Sequence, residues 1–266
     1  MSAFDAAALL GWYERERRPL PWRETRDPYA LLVSEVMLQQ TQAARVVPYY
    51  ERFLARFPDP DALAAAPAGE VLAAWSGLGY NRRALALQRA AREVARNGWP
   101  EDLTDLPRVG AYTAAAVGSF AWDRQAAAVD TNVRRVISRH DGAEHAPRTL
   151  ARRAAELMPA GRAAPFNQAM MELGATVCRP RRPACDGCPV RRGCASAGRA
   201  PAAAPRRQAS ERFEDTDRWA RGRMVAALVS GAPQPDLDPV RLARAEAGLL
   251  RDGLAVRGAD GVLRLP

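Results

Sequence analysis

The sequence predicts a mainly α-helical protein, and two features support that fold class. Apolar residues recur at helical spacing in short segments between residues 4 and 175, and Gly, Pro and Asp signals separate these segments. Before residue 250 there is no convincing alternation of apolar and polar residues, the pattern of a half-buried strand. The body of the chain is therefore expected to consist of packed helices.

The first predicted helix spans residues 4–18, and the sequence PLPW after it is an extended break. Residues 28–57 should form two helices, because Pro28 and Pro48 each suit the first position of a helix. Further helical segments of the body are expected at 61–66, 69–76, 80–97, 113–121, 130–140, 148–158 and 165–175.

The C-terminal part has a different organisation. Residues 199–212 are rich in Ala, Pro and Arg and are predicted to be a linker. The tail, residues 213–266, is expected to hold helices at 217–230 and 239–252 and a hairpin that turns at Ala259–Gly261. Two helices and a basic hairpin suggest a small winged-helix-like module, and a packing appendage is an equal alternative.

Composition limits the classes to which the chain can belong. A hydrophobic content of 48% over 266 residues is enough for a core and argues against a disordered chain. No apolar run of about 18 residues occurs, so no membrane span is expected. The first residues show no secretory signal, which predicts a reducing, cytoplasmic environment.

The chain is strongly basic, with a net charge of +9 and a pI of about 10.2. This balance suggests a polyanionic partner, most simply nucleic acid. All 39 basic residues are arginine, and the sequence contains no lysine. Because arginine cannot form a Schiff base, any mechanism that needs a lysine amine is excluded.

The four cysteines lie in one short stretch, separated by six, two and five residues. A reducing compartment disfavours two disulfides. Zinc is the stronger alternative, but zinc ribbons and fingers usually offer two close ligand pairs, and only Cys185 and Cys188 form such a pair. The spacing favours a larger 4Fe-4S cluster on a spread loop. Its ligands would be Cys178, Cys185, Cys188 and Cys194.

Two carboxylates are candidates for chemistry. Glu35 lies amid apolar residues, and if it faces inward, burial would raise its pKa and make it a proton donor; otherwise it is an ordinary surface residue. Asp130 precedes a helix and could be a plain N-cap, but the positive helix end would also keep it ionised. One protonated and one ionised carboxylate can together cleave a glycosidic bond.

Other motifs suggest contacts to DNA. The sequence LPRVGAYT, with Val109 and Gly110, could aim backbone N–H groups at a phosphate, although an inter-helix turn explains it nearly as well. The polar run of Gln39, Gln40 and Thr41 could wedge between bases. Trp22 and Tyr80 could stack on bases, although each alone is more often a core residue.

The motifs LPWR, SEVMLQQTQ, GLGY, LPxVGxYT, VDTNVRRV and FNQAMMELGATVC, with the cysteine loop, closely resemble the MutY-type adenine DNA glycosylases of the helix-hairpin-helix base-excision superfamily. The likeness runs from about residue 8 to 196. It implies a two-domain helix-hairpin-helix DNA glycosylase fold: a six-helix domain at 24–128, a 4Fe-4S cluster domain from 1–23 and 129–198, and the winged-helix-like tail. The substrate would be double-stranded DNA with adenine opposite 8-oxoguanine or guanine, bound by a monomer.

The resemblance also implies residue roles. Glu35 would protonate the adenine, Asp130 would stabilise the oxocarbenium-like sugar, and Asn132 and Tyr112 would support that site. Base flipping would expose the bond. The pocket around the flipped adenine would contain Trp22, Arg23, Leu38 and Gln168. Gln40 and Tyr80 would enter the base stack beside the opposite base. Phosphate contacts would come from Arg179, Arg181 and Arg182, and Arg108 would either add a phosphate contact or strain its turn.

Related families provide the alternatives. The endonuclease III type carries a lysine where this chain has Tyr112, so we expect a monofunctional enzyme without efficient lyase activity. A thymine or uracil mismatch glycosylase is the second hypothesis, and a non-enzymatic zinc and winged-helix DNA-binding module is a remote third. Arg108 stands where the family usually has glycine, and the tail is shorter than the family's Nudix-like domain.

Overall fold

A computed structural model of the protein describes residues 4–199 and 212–266. The predicted linker therefore lies almost entirely outside the described residues. No helix within these two ranges is both long enough and apolar enough to cross a membrane.

The described residues contain twelve α-helices and one small sheet. The helices are α1 (Ala6–Glu16), α2 (Pro28–Leu38), α3 (Ala43–Arg56), α4 (Pro60–Ala65), α5 (Ala68–Trp75), α6 (Arg82–Asn97), α7 (Ala111–Trp122), α8 (Thr131–Asp141), α9 (Pro147–Leu157), α10 (Ala163–Thr176), α11 (Asp217–Ser230) and α12 (Pro239–Arg251). Short 3₁₀ helices span Pro21–Arg23, Leu103–Asp105, Cys185–Gly187 and Phe213–Asp215. Strands β1 (Val256–Arg257) and β2 (Leu263–Arg264) pair antiparallel.

The helix boundaries follow the Pro, Gly and Asp signals of the sequence, with one exception. Pro28 begins α2 as predicted, and the Asp27 carboxylate accepts hydrogen bonds from the N–H groups of Tyr29 (3.0 Å) and Ala30 (3.3 Å). The prediction that Pro48 begins the next helix is wrong. Helix α3 starts at Ala43 and continues through Pro48, which lies beyond its first turn. Proline suits the helical φ, and its missing N–H leaves one hydrogen bond unmade, the one to the Ala44 carbonyl oxygen.

The chain divides into two compact units, of which the first comprises Met1–Glu35 and Val109–Pro205. In this unit α10 packs against α1, α7 and α8. The core contains fully buried apolar side chains from three of these helices, including Leu9, Ile137, Phe166 and Met170. Helix α8 is bounded by Asp130 at its N-cap and by Gly142 at its C-cap, and Gly142 has a φ of 72° that favours glycine.

The second unit comprises Val36–Arg108 and Arg206–Pro266. Helix α6 packs against α4 and α5, and the buried rings of Phe53 and Trp75 meet edge to face at 5.9 Å. Buried Gln88 donates hydrogen bonds to the carbonyl oxygens of Leu63 (3.1 Å) and Ala66 (2.7 Å). These bonds satisfy two backbone groups near the end of α4 and hold α4 against α6.

The C-terminal tail belongs to this second unit. Helix α11 packs against α12 and against α5, and the two-residue strands that follow α12 form the predicted hairpin. The compact units differ from the predicted domains in three respects. Residues 24–35 and helix α7 group with the cysteine-containing part rather than with the rest of 24–128, and the tail is not a separate body.

Candidate active site

Glu35 lies in the last turn of α2 and is buried, with only 5% of its surface exposed. Its neighbours along the chain, Val33, Val36 and Met37, are also buried, so helical periodicity gives Glu35 no solvent-facing position. Burial raises the pKa of the Glu35 carboxyl to about 7, and the nearby charge of Asp130 adds to this effect. A hydrogen bond from the Tyr112 hydroxyl opposes it. Glu35 can therefore hold a proton near neutral pH.

Tyr112 lies in the first turn of α7 and connects the acid to the rest of the site. Its hydroxyl donates a hydrogen bond to Glu35 and lies 4.0 Å from the Met171 sulfur. Burial, together with the charges of Glu35 and Asp130, raises the pKa of Tyr112 well above its usual range. The hydroxyl therefore stays protonated and acts as a fixed donor beside Glu35.

Asp130 is the N-cap of α8, as one interpretation of the sequence predicted. Its Oδ1 accepts hydrogen bonds from the backbone N–H groups of Asn132 (2.8 Å) and Val133 (2.7 Å), and the Asn132 side-chain amide donates to its Oδ2 at 2.7 Å. Three donors and a helix N-terminus thus complement one negative charge. The N-cap and the electrostatic interpretation are both compatible with this geometry.

Asn132 and Arg135 connect Asp130 to the cysteine loop. The Arg135 guanidinium donates to Asn132 Oδ1 (2.7 Å), to the carbonyl oxygen of Gly174 (2.7 Å) and to that of Cys178 (2.7 Å). Sequence reasoning did not single out Arg135, because only the fold brings α8, the end of α10 and the loop together. A continuous chain of hydrogen bonds fixes the orientation of the Asp130 carboxylate.

Gly174 allows α10 to approach this site closely. A Cβ at this position would lie 2.5 Å from the Asn132 Cβ and 3.0 Å from its Cα. Replacing Gly174 by alanine is therefore expected to displace Asn132, to lower the free energy of unfolding by about 1–3 kcal/mol and to slow any reaction in which Asp130 takes part.

Thermal or denaturant unfolding measures the first effect of Gly174→Ala, and a single-turnover assay measures the second. The matched control is Gly222→Ala in α11, where a new Cβ meets nothing within 4 Å. That change should be neutral or stabilise by about 0.5–1 kcal/mol. Equal effects of the two substitutions would contradict the close-packing explanation.

A buried ion pair, which the sequence did not reveal, supports the predicted pocket residues of the first unit. Glu172 is fully buried and accepts hydrogen bonds from the guanidinium groups of Arg18 (2.8 and 2.7 Å) and Arg23 (2.7 Å). Burial alone would raise the pKa of Glu172, but these hydrogen bonds outweigh it and lower the pKa to about 2. The charge of Arg23 is thus compensated inside the protein.

The other predicted pocket residues are positioned by their own neighbours. Gln168 accepts a hydrogen bond from the buried Tyr13 hydroxyl at 2.7 Å, and Trp22 is buried in the 3₁₀ helix Pro21–Arg23. Leu38, which ends α2 and belongs to the second unit, is half-buried.

In the second unit, Arg83 holds together the segments that carry the predicted base-contacting residues. Its guanidinium donates to the carbonyl oxygens of Val36 (2.7 Å), Met37 (3.1 Å) and Gln39 (2.5 Å). It also donates to Thr41 Oγ1 (3.3 Å) and to the carbonyl oxygen of Gly79 (3.2 Å). Arg83 therefore ties the turn after α2 to the turn before α6.

These two turns contain unusual backbone conformations. Gln40 has a φ of 57° and Tyr80 a φ of 50°, in the left-handed region that costs a non-glycine residue about 1–2 kcal/mol. Both side chains are exposed. Strained backbone at exposed polar and aromatic residues is typical of functional sites. Both residues were predicted to contact bases.

The hairpin before α7 shares this feature, because Arg108 has a φ of 65° and is exposed. Val109 is buried, and Gly110 is the N-cap of α7. Gly110 has no side chain to cap the helix, and the first backbone donor bonded to it is the N–H of Ala114. The N–H groups of the first turn of α7 thus have no acceptor within the helix and are available to bind an anion, and the phosphate contact stays a prediction.

Replacing Arg108 by glycine should relieve the strained φ and raise the free energy of unfolding by about 1 kcal/mol. It should also weaken duplex binding if the guanidinium contacts a phosphate. Arg108→Ala separates the two effects, because it removes the charge and keeps the strain. Unfolding and salt-dependent binding of both variants measure the outcome. A glycine variant that is no more stable than the alanine variant would contradict the strain argument.

The four cysteines line one cavity of about 580 Å³. Arg139 lies beside it and donates hydrogen bonds to the Cys178 sulfur (3.5 Å) and to the carbonyl oxygens of Arg179 (2.8 Å) and Pro180 (2.7 Å). Across residues 4–199 and 212–266, no group of three or more His, Cys, Asp or Glu side chains is arranged to hold a single metal ion. Four cysteines around one cavity fit a thiolate-bound 4Fe-4S cluster.

Three arginines of this loop, Arg179, Arg181 and Arg182, are exposed between the first two cysteines. Their backbone is fixed by Arg139 and by the N–H of Ala184, which donates to the carbonyl oxygen of Val177 at 2.9 Å. The structure thus brings Glu35, Tyr112, Asp130 and Asn132 together within the first unit. It keeps Gln39, Gln40, Thr41 and Tyr80 in the second.

Residues 33–160 match the HhH-GPD superfamily of base excision DNA repair proteins. The chain is 42% identical to the adenine DNA glycosylase of Mycobacterium tuberculosis over 282 residues, covering 97% of this chain and 92% of that protein. The corresponding protein of Mycolicibacterium smegmatis is 42% identical over 273 residues, covering 95% and 93%. The chain belongs to the adenine DNA glycosylase family. The resemblance drawn from the sequence motifs is confirmed.

Solved structures related to this adenine DNA glycosylase family member confirm the helical fold. A thermostable thymine-DNA glycosylase matches with a TM-score of 0.67 and 33% identity over 71% of this chain and 93% of the other. A trapped endonuclease III–DNA covalent intermediate matches with a TM-score of 0.62 at 23% identity, covering 72% and 93%.

The mycobacterial matches extend into the C-terminal module. Because residues 213–266 form about a fifth of the chain, a match over 97% of it includes most of the module. These relatives therefore share a C-terminal region of similar length.

Proposed function

We propose that this protein removes adenine from duplex DNA where the adenine is mispaired with 8-oxoguanine or guanine. The buried, protonatable Glu35 beside Tyr112 and Asp130 carries the proposal. Glu35 donates its proton to the adenine ring and makes the base a better leaving group. The Asp130 carboxylate stabilises the positive charge that develops on the sugar. Water then completes the hydrolysis.

We further propose that the enzyme has no efficient lyase activity. The chain contains no lysine, and Tyr112, whose burial keeps its hydroxyl protonated, hydrogen-bonds to Glu35 in place of an amine. A Schiff base between a lysine and the sugar therefore cannot form. The expected product is an intact strand with an abasic site.

A 4Fe-4S cluster bound by Cys178, Cys185, Cys188 and Cys194 completes the proposal. The shared cavity and the neighbouring Arg135 and Arg139 support it, since guanidinium groups offset thiolate charge. When bound, such a cluster supplies a covalent cross-link of the loop that presents Arg179, Arg181 and Arg182. About four iron and about four sulfide atoms per purified chain would support it, whereas one zinc would exclude it.

The thymine-DNA glycosylase likeness favours a second candidate, removal of thymine or uracil from mismatches with guanine. One gel experiment separates the possibilities. Duplexes with A:8-oxoG, A:G, G:T and G:U are incubated with the protein, each with and without alkali. Alkali-dependent cleavage of only the adenine-containing strands supports the proposal. Cleavage of G:T or G:U alone supports the second candidate, and strand breaks without alkali overturn the no-lyase proposal.

The rate of adenine release should depend on pH through Glu35. Because the acid form donates the proton and the pKa of Glu35 is about 7, the single-turnover rate should be constant below that pH. Above it, the rate should fall about tenfold per pH unit. Duplex binding measured over the same range serves as the control. A rate that rises or stays flat between about pH 6 and 8.5 would contradict the assignment.

A further inference from the structure

Arg218 of α11 connects the C-terminal module to Tyr80. The Arg218 guanidinium donates a hydrogen bond to the Tyr80 hydroxyl and lies 5.0 Å from the centre of its ring. The same guanidinium lies 4.8 Å from the ring of Phe213. Tyr80 and Phe213 are two of the large hydrophobic side chains that stay exposed, at 38% and 48%. An aromatic and arginine cluster therefore forms around Tyr80, and the module supplies two of its members.

Two further sets of contacts hold the module in place within the second unit. The C-terminal carbonyl oxygen of Pro266 accepts a hydrogen bond from the Gly69 N–H at 3.0 Å. Asp252, whose side chain is almost fully buried, forms ion pairs with Arg82 (3.5 Å) and Arg221 (2.9 Å). Arg82 lies two residues after Tyr80. The position of Arg218 is thus fixed relative to the turn that carries Tyr80.

Tyr80 needs such support. Its left-handed φ of 50° is unfavourable for an aromatic residue, so the turn holds this conformation only through its contacts. Arg83 lies 5.3 Å from the ring and comes from the body of the unit. Arg218 supplies a second guanidinium contact and the contact to the hydroxyl. A cation–aromatic contact contributes about 0.5–1 kcal/mol at an exposed site.

We propose that Arg218 is a positioning residue that fixes the Tyr80 ring where it meets the base opposite the adenine. The C-terminal module thereby contributes to selection of that base, although it has only 54 residues. This inference rests on the proposed function, because it assigns Tyr80 to the opposite base. The tail was expected to be either a winged-helix-like DNA-binding module or a packing appendage. In this proposal the module has a third role, because it acts on the DNA through Tyr80.

The test uses the full-length protein and its variants Arg218→Ala, Arg218→Lys and Tyr80→Phe. The matched control is Arg244→Ala, which removes an exposed arginine of the same module that pairs with Asp217 at 3.3 Å. Single-turnover rate constants and dissociation constants are measured with A:8-oxoG and A:G duplexes. Binding is measured in the Glu35→Gln background so that no product forms. Thermal unfolding of every variant checks the fold.

We expect Arg218→Ala to raise the dissociation constant for the A:8-oxoG duplex by about fivefold, the factor that corresponds to about 1 kcal/mol. The ratio of its dissociation constants for the A:G and A:8-oxoG duplexes should fall. The single-turnover rate constant at saturating protein should change less than about twofold. Arg218→Lys keeps the charge and a donor, so it should restore part of the preference. Combined with Tyr80→Phe, Arg218→Ala should cost less than the sum of the single effects, because both remove one contact.

Two results would overturn the inference while the proposed function stands. Arg218→Ala could match the wild type and Arg244→Ala in affinity and preference, which would leave Arg218 a surface residue. Arg218→Ala could instead lower the dissociation constant, which would show that the contact with Arg218 keeps Tyr80 from binding DNA. If the wild-type protein itself releases no adenine from either duplex, the proposed function fails, and that outcome is distinct from both.

Discussion

Replacing Glu35 by glutamine is expected to slow adenine release by about 10²–10⁴-fold and to leave duplex binding intact. Glutamine has nearly the same shape, so the buried position stays filled, but its amide cannot donate a proton to a leaving base. The Tyr112 hydroxyl can still donate its hydrogen bond to the glutamine carbonyl oxygen. Single-turnover base release and equilibrium binding to the same A:8-oxoG duplex measure the two effects.

The same substitution should stabilise the protein at alkaline pH. The folded pKa of Glu35, about 7, lies above its ordinary value of 4.5, so its protonated form is favoured by folding. Stability is therefore greatest below about pH 4.5 and is lost as pH rises through 7. Glutamine avoids that loss, which amounts to at most about 3 kcal/mol at pH 8. An enzyme that keeps an acid in a buried site thus gives up stability there.

The control is Glu51→Gln, which makes the same change at an exposed position of α3. It should leave the rate of adenine release unchanged. Normal base release by Glu35→Gln would contradict the acid assignment. An unchanged pH dependence of its stability would contradict the burial of a titrating carboxyl.

Asp130→Asn should produce the second large effect, a loss of about 10²–10³-fold in the rate of base release with little loss of stability. Asparagine is as good an N-cap as aspartate, and its Oδ1 can accept from the N–H groups of Asn132 and Val133. Only the hydrogen bond from the Asn132 side-chain amide to Oδ2 is lost, at a cost of about 1 kcal/mol. The negative charge that is proposed to stabilise the sugar disappears.

Asp59→Asn provides the comparison, because Asp59 caps α4 through a hydrogen bond from the Ala62 N–H at 2.8 Å. Both substitutions keep an N-cap, and only Asp130 faces Glu35 closely enough for their charges to interact. Rates and unfolding free energies of the two variants separate capping from catalysis. If Asp130→Asn releases adenine as fast as Asp59→Asn, Asp130 serves the helix alone.

Much of the fold could be predicted from the sequence, because local signals determine where these helices begin and end. Asp and Pro residues mark the starts of α2, α4, α8, α9 and α12, and glycine follows the ends of α6, α8 and α11. The prediction from Pro48 failed because a helix can continue through an interior proline at the cost of one hydrogen bond. Residue type alone does not distinguish that position from the first.

Less of the site could be predicted, since its geometry depends on distant parts of the chain. The sequence identified Glu35 and Asp130 as residue types, but burial of the first and its proximity to the second arise only when α2, α7 and α8 pack. Arg83, Arg135, Glu172 and Arg218 gave no sequence signal. Each has a partner more than 30 residues away, and arginine is so abundant in this chain that none of the three arginines stood out.

The most direct test of the account is the chromatographic identification of the base that the wild-type protein releases from an A:8-oxoG duplex. We expect free adenine in an amount equal to the abasic sites formed, with the 8-oxoguanine strand unaltered and no strand breaks before alkali treatment. Release of 8-oxoguanine, or of no base while a G:T duplex yields thymine, would contradict the assignment of Glu35 and Asp130 to adenine removal.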